Sequence, residues 1–124
     1  LQRLGLPYRV VLLAAGDTNA AAEFALARDL DALRFRADSG LTDTVRALAA
    51  AHPEHTVLAE TRDAFAAEAE GGVPGSEAFW EHVHLTFAGN HRLALTVAEA
   101  LETRLGAGTG NWPTRAELGR ALAY

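Results

Sequence analysis

The sequence predicts an α/β domain that is mostly helical over this part of the chain, with one or two short strands. Two stretches rich in alanine and leucine, at residues 20–33 and 41–51, have helix-forming composition or apolar residues on one helical face. The short apolar run Thr-Val-Leu-Ala at residues 56–59 is the best strand candidate. A helix followed by such a strand is half of a βαβ unit, so we expect this strand to join a parallel sheet begun elsewhere.

The N-terminal part of the chain predicts a helical hairpin. Residues 1–15 carry loosely spaced leucines and valines and predict a helix that begins near Pro7, since proline is tolerated in a first turn. The turn cluster at residues 16–19 offers side-chain caps for the next helix, and two helices joined by so short a turn pack antiparallel. Residues 33–36 then alternate apolar and basic side chains, which predicts a short strand or extended segment.

The second half of the chain predicts three further helices. A short one covers residues 62–70, and the longest begins at the N-cap Thr86 and stops at Gly106. The apolar stripe of this long helix consists of Ala94, Val97, Ala98, Leu101 and Leu105. A weaker helix covers residues 114–122, and Trp112 is expected to pack this tail against the body.

Composition narrows the class of protein. The 124 residues have a net charge of −5, and all eleven positive residues are arginine, so we expect no nucleic-acid partner. No apolar stretch approaches the roughly 18 residues that span a bilayer. Cysteine is absent, which excludes thiolate metal sites and cysteine nucleophiles and fits a reducing cytoplasm, our default location. Methionine is also absent, and we therefore interpret the chain as a segment or processed piece of a longer protein.

Residues 1–32 resemble a tetratricopeptide unit. Ala20, Phe24 and Ala27 stand at the spacing of that repeat's second helix, where small residues let the partner helix approach. The resemblance implies a protein partner bound through the hairpin. An ordinary alanine-rich hairpin explains the same residues, because tetratricopeptide arrays need several stacked units.

The densest group of functional side chains lies at residues 79–90, Phe-Trp-Glu-His-Val-His-Leu-Thr-Phe-Ala-Gly-Asn. Glu81 precedes His84 by three residues. A carboxylate so placed in a tight loop can hydrogen-bond one imidazole nitrogen and leave the other free as a base. Gly89 lets the first turn of the following helix lie close to neighbouring backbone. We expect the aromatic residues of the chain, Trp80 among them, to lie in the core or line a cleft.

The run Glu-His-Val-His-Leu-Thr-Phe-Ala-Gly-Asn-His-Arg-Leu-Ala, at residues 81–94, resembles the C-terminal catalytic block of the SGNH, or GDSL-type, hydrolases. It most resembles the bacterial branch that accompanies tetratricopeptide repeats, to which residues 27–38 and Pro74-Gly75 are also similar. The resemblance implies a three-layer α/β/α domain whose C-terminal part is present here. The implied divisions are a hairpin at 1–32, the SGNH-like part at 33–106 and a tail helix at 107–124.

This resemblance also implies a chemistry. His84 would be the general base and Glu81 the acid that orients it, where the family usually has Asp. A serine upstream, deprotonated by His84, would attack the carbonyl of a small-molecule or carbohydrate ester, and water or another hydroxyl would release the acyl group. No cofactor or metal is implied. We expect the 124 residues alone to be inactive.

Three alternatives stay open. Ser39 lies in Ala-Asp-Ser-Gly-Leu, similar to the family's Gly-Asp-Ser-Leu turn, but the interval to His84 is too short for the strands of that fold, and such a serine more often caps the next helix. His82 and His84, with Glu81 or His91, have the residue types of a zinc site. The third alternative is a non-catalytic helical interaction module that binds a protein through the hairpin.

Overall fold

The computed structural model describes residues 18–33, 36–81, 83–106 and 110–122. Over these residues the chain is mostly helical, as predicted. Its elements are α1 (Ala20–Asp29), α2 (Ser39–Ala51), α3 (Thr61–Glu68), a 3-10 turn (Glu70–Gly72), α4 (Phe87–Leu105) and α5 (Arg115–Ala121). The one β pairing in the described ranges is an antiparallel bridge between Phe79 and Leu85. None of the helices in these ranges is both long and apolar enough to cross a membrane.

The strand predicted at residues 56–59 was wrong. These residues connect α2 to α3 without regular structure, and Thr56 Oγ1 donates to the carbonyl oxygens of Ala49 and His52 at 3.0 and 2.7 Å. A strand needs a neighbour to complete its ladder of hydrogen bonds, and no described segment runs beside this one. The helix predicted at residues 1–15 lies outside the described residues, as do residues 34 and 35 of the predicted extended segment.

Local caps set the ends of the two longest helices. Asp38 caps α2, because its Oδ1 accepts from the backbone N–H of Leu41 at 2.8 Å. The structure therefore gives this role to Asp38 and not to Ser39, which is the first helical residue. At the other end of the chain, α4 starts at the N-cap Thr86 and stops at Gly106, whose φ of 64° is left-handed, so both predicted signals are confirmed.

An arginine fork joins α2 to the start of α3. Arg46 Nε and Nη2 donate to the two carboxylate oxygens of Glu60 at 2.8 and 2.7 Å, and Nη2 also donates to Asp63 at 2.8 Å. Hydrogen bonding to Arg46 outweighs the partial desolvation of Glu60 and lowers the pKa of that carboxyl. The fork closes the irregular connection between the two helices where the predicted strand does not form.

The described helices bury few large side chains. Ala20 and Ala78 are the buried apolar residues in this part of the chain, and Thr86 and Thr96 are the buried polar ones. Along α2, the apolar residues at helical spacing are about half exposed: Leu41, Val45 and Leu48. Val97, Leu101 and Leu105 of the predicted α4 stripe are likewise exposed. These two helices therefore present apolar faces that the described residues do not cover.

Replacing Thr86 by valine is expected to destabilise the protein by about 2 kcal/mol. The buried Thr86 Oγ1 accepts from Gly89 N at 3.0 Å and donates to the carbonyl of Glu77 at 2.9 Å. Valine has the same shape but leaves both groups unpaired. Urea unfolding measures the loss. Thr103→Val is the control, because that exposed hydroxyl bonds only its own helix; equal losses in the two variants would contradict the prediction.

Candidate active site

A short hairpin leading into α4 carries the candidate catalytic residues. Phe79 and Leu85 form the antiparallel bridge, and Trp80 N donates to the carbonyl oxygen of His84 at 2.8 Å. Residues 81–83 form the tip. The predicted tight loop before the helix is therefore a hairpin with defined register, which the sequence did not predict.

The hairpin is anchored to both α3 and α4. Thr86 N donates to the carbonyl oxygen of Ala78 at 2.9 Å, and the rings of Phe79 and Phe65 lie 5.8 Å apart between centroids. Gly89 passes so close that a Cβ there would lie 2.2 Å from the Ala78 oxygen. The base of the hairpin is consequently held against the first turn of α4, as the sequence predicted for Gly89.

The structure brings Glu81 and His84 together. Glu81 Oε1 is hydrogen-bonded to His84 Nδ1 and also accepts from the backbone N–H of His84 at 2.9 Å, while Oε2 accepts from Val83 N at 3.3 Å. Because a carboxylate can only accept, this pairing assigns the proton to Nδ1 and leaves Nε2 of the neutral ring as the basic atom. Nε2 makes no hydrogen bond to any described residue. The pair can therefore take up a proton at Nε2.

This pair lies at the surface. The His84 side chain is 80% exposed and that of Glu81 40%. A cleft of about 430 Å³ lies elsewhere, lined by residues of α3, the base of the hairpin and α4 such as Phe65, Ala78 and Arg92, and neither member of the pair lines it. The pair is thus accessible, and the described residues do not enclose it.

The pKa of the Glu81 carboxyl lies below its ordinary value of 4.5. Partial desolvation raises it, but hydrogen bonds from the His84 ring and from the backbone N–H groups of His84 and Val83 outweigh that effect. The ionised carboxylate is therefore the form that the folded hairpin favours.

The lowered pKa of Glu81 predicts a pH-dependent contribution to stability. Glu81 should favour the folded state above the ordinary carboxyl value of 4.5, and this contribution is lost as the pH falls through the lower folded value. The difference in Tm between the natural chain and Glu81→Gln should be largest at neutral pH and vanish in acid. For Glu99→Gln, an exposed position on α4, we expect a difference that does not change with pH; the same trend in both variants would refute the prediction.

Ser39 belongs to a different cluster. Its Oγ accepts from Arg28 Nη2 at 2.6 Å, and its backbone N–H donates to Asp29 Oδ1 at 3.0 Å. Hydrogen bonds from Ser39 and then from Arg28 lower the pKa of Asp29. These contacts tie the end of α1 to the start of α2, and none of them reaches His84. Ser39 is therefore placed in a structural junction.

The zinc alternative gains no support from the geometry. His82 lies outside the described residues, and His91 Nε2 is hydrogen-bonded to the carbonyl oxygen of Pro113 at 3.1 Å. Within the ranges that the structure describes, no group of three or more His, Asp and Glu side chains could hold a metal ion.

The sequence placed Trp80 with the core and cleft aromatics, but its side chain is 72% exposed. Its neighbour Phe79 points the other way, onto Phe65. Alternation along the hairpin would have indicated this, because successive residues of an extended segment face opposite sides. The missing information was that residues 79 and 80 are extended and paired.

Comparisons with protein-family models, with curated proteins and with solved structures give no match to this chain. The similarity to the SGNH-type hydrolases consequently depends on the residues of the hairpin and on their arrangement. The fold that the structure shows is the mostly helical arrangement described above.

Proposed function

We propose that this chain is the C-terminal part of a three-layer α/β/α SGNH-like domain that hydrolyses an ester or transfers its acyl group. His84 is the general base and Glu81 orients it. The observation that carries the proposal is the hydrogen bond between the Glu81 carboxylate and His84 Nδ1, which leaves Nε2 free at an accessible surface. The substrate is a small-molecule or carbohydrate ester.

The reaction follows from these two side chains. As a serine oxygen bonds to the ester carbonyl carbon, its proton passes to His84 Nε2, and the Glu81 carboxylate stabilises the resulting imidazolium through Nδ1–H. The imidazolium then returns the proton to the departing alcohol as the tetrahedral intermediate collapses. Water, or a second alcohol in acyl transfer, repeats the sequence on the acyl-enzyme and releases the acyl group.

The proposal assigns the nucleophile to polypeptide outside these 124 residues. The chain has two serines: Ser39 is bound to Arg28 and Asp29, and Ser76 lies in an exposed turn. Neither is hydrogen-bonded to His84 among the described contacts. The exposed apolar faces of α2 and α4 support this assignment, because a sheet that carried the serine would cover them.

The test uses the protein that contains this chain together with its neighbouring sequence. We expect it to hydrolyse p-nitrophenyl acetate and to be labelled by a fluorophosphonate, which reacts with activated serines. His84→Ala should lower both rates about 10³-fold or more. His55→Ala is a matched control, since that side chain is also 80% exposed and lies 3.7 Å from Glu54.

Two outcomes would contradict the proposal. Equal activity in the His84 and His55 variants would remove the base. Hydrolysis by the 124 residues alone, lost in His84→Ala, would place the nucleophile within this chain and return Ser39 to consideration.

A second candidate function is that of a non-catalytic helical interaction module. The observation in its favour is that α1 exposes large apolar side chains: Phe24, Leu26 and Leu30. The sequence encoded upstream separates the two candidates, because a Gly-Asp-Ser turn after a strand is required for the hydrolase and further helical repeats for the module.

A further inference from the structure

Trp80 lies directly opposite His84 on the hairpin. The bridge between residues 79 and 85 sets the register, and the hydrogen bond from Trp80 N to the His84 carbonyl pairs the two residues. Side chains of directly opposite residues in an antiparallel pair leave on the same face, with Cβ atoms about 5 Å apart. The indole therefore stands beside the imidazole.

The two faces of the hairpin differ in what covers them. The Phe79 and Leu85 face is turned inward, onto Phe65 and the first turn of α4. The opposite face carries the Trp80 indole, 72% exposed, next to the proposed base. A large rigid ring left in water at this position contributes little to folding, whereas aromatic rings of this kind supply much of the energy of binding surfaces.

We propose that Trp80 is a substrate-positioning residue on which a sugar ring stacks, so that the substrate is a carbohydrate ester. This inference rests on the proposed function of His84. The C–H groups on the face of a sugar ring carry partial positive charge and are attracted to the negative face of the indole. The hydroxyl groups at the rim of the ring stay in water, which suits an open surface. An ester substituent of a ring in this position lies beside His84 Nε2.

The surroundings favour a sugar over a long acyl chain. An acyl chain binds most strongly in an enclosed apolar channel, because its binding energy comes from area removed from water. Neither of the two clefts described in the structure is lined by Trp80, Glu81 or His84. A flat ring on an open surface is the ligand shape that the exposed indole fits.

The experiment uses NMR on the 124-residue chain, whose two tryptophans give two indole N–H signals. The probes are O-acetylated oligosaccharides prepared from xylan and glucomannan. We expect the Trp80 indole signal and the His84 ring signals to shift at millimolar concentrations, with the Trp112 indole unchanged. Trp80→Ala should weaken binding at least fivefold, and Trp80→Phe should restore part of it.

Trp112→Ala is the matched control, since Trp112 is 46% exposed and lies before α5, away from the hairpin sequence. Equal shifts of both indoles, no shift, or a response of Trp80 only to p-nitrophenyl hexanoate would overturn the inference. Binding that persists in His84→Ala, without esterase activity in the longer protein, would retain the sugar contact and reject the proposed base. Activity that depends on His84 but not on Trp80 would reject the sugar assignment alone.

Discussion

Alanine at position 89 is expected to destabilise the protein by about 3 kcal/mol and to loosen the hairpin that carries Glu81 and His84. A Cβ on Gly89 would lie 2.2 Å from the carbonyl oxygen of Ala78 and 3.0 Å from Leu85 Cδ2. The nearer atom is backbone, so no side-chain rotation relieves the contact. The Ala78 carbonyl also accepts from Thr86 N and cannot withdraw without breaking that bond.

Helix propensity opposes this loss but does not reverse it. Alanine stabilises a helix interior by about 1 kcal/mol relative to glycine, and by less in a first turn. Gly40→Ala isolates this favourable effect, because it is also a helical glycine and its Cβ would meet nothing nearer than Asp38 Oδ1 at 3.5 Å. We expect Gly40→Ala to be neutral or slightly stabilising in urea unfolding. Similar midpoints for the two variants would refute the steric argument.

Local signals predicted most of the helical architecture. Thr86 caps α4 and Gly106 ends it, because both effects depend on hydrogen bonds and dihedral angles within a few residues. The start of α2 was less certain from sequence, since Asp38 and Ser39 are both good capping residues. Only the geometry shows that the Asp38 carboxylate reaches Leu41 N while Ser39 is engaged by Arg28.

Non-local effects account for the errors. The composition of residues 56–59 suits a strand, but a strand depends on a neighbour, and in the described ranges the segment is held instead by hydrogen bonds to the end of α2. Trp80 was placed with the core aromatics by hydrophobicity alone. Its exposed position follows from the hairpin register, which depends on how Ala78 and Thr86 anchor the two strands.

The candidate site was predictable in its residues and not in its setting. The three-residue interval between Glu81 and His84 lets the carboxylate reach both the backbone N–H and the ring of His84, so the pair is a local feature. The open surface around it is a property of the whole arrangement. The structure separates the pair from the cleft beside Arg92, although large clefts are the usual place to search for a site.

Glu81→Gln is expected to reduce ester hydrolysis by the active protein about 10³-fold or more while leaving the fold intact at neutral pH. The amide has no charge to stabilise the imidazolium, and its NH2 group can turn toward His84 Nδ1 and favour the wrong tautomer. Glu81→Asp keeps the charge and restores the residue type usual in the SGNH family, so we expect a loss of no more than about tenfold.

The three-way comparison of Glu81→Gln, Glu81→Asp and Glu99→Gln separates charge from general destabilisation. Glu99 lies on the exposed side of α4, and its replacement should leave kcat unchanged. Measured kcat values for p-nitrophenyl acetate, beside Tm values for each variant, decide the matter. If Glu81→Gln retained full kcat, the carboxylate would be only a cap for the hairpin tip through Val83 and His84 N–H groups, and His84 would have to act without an orienting acid.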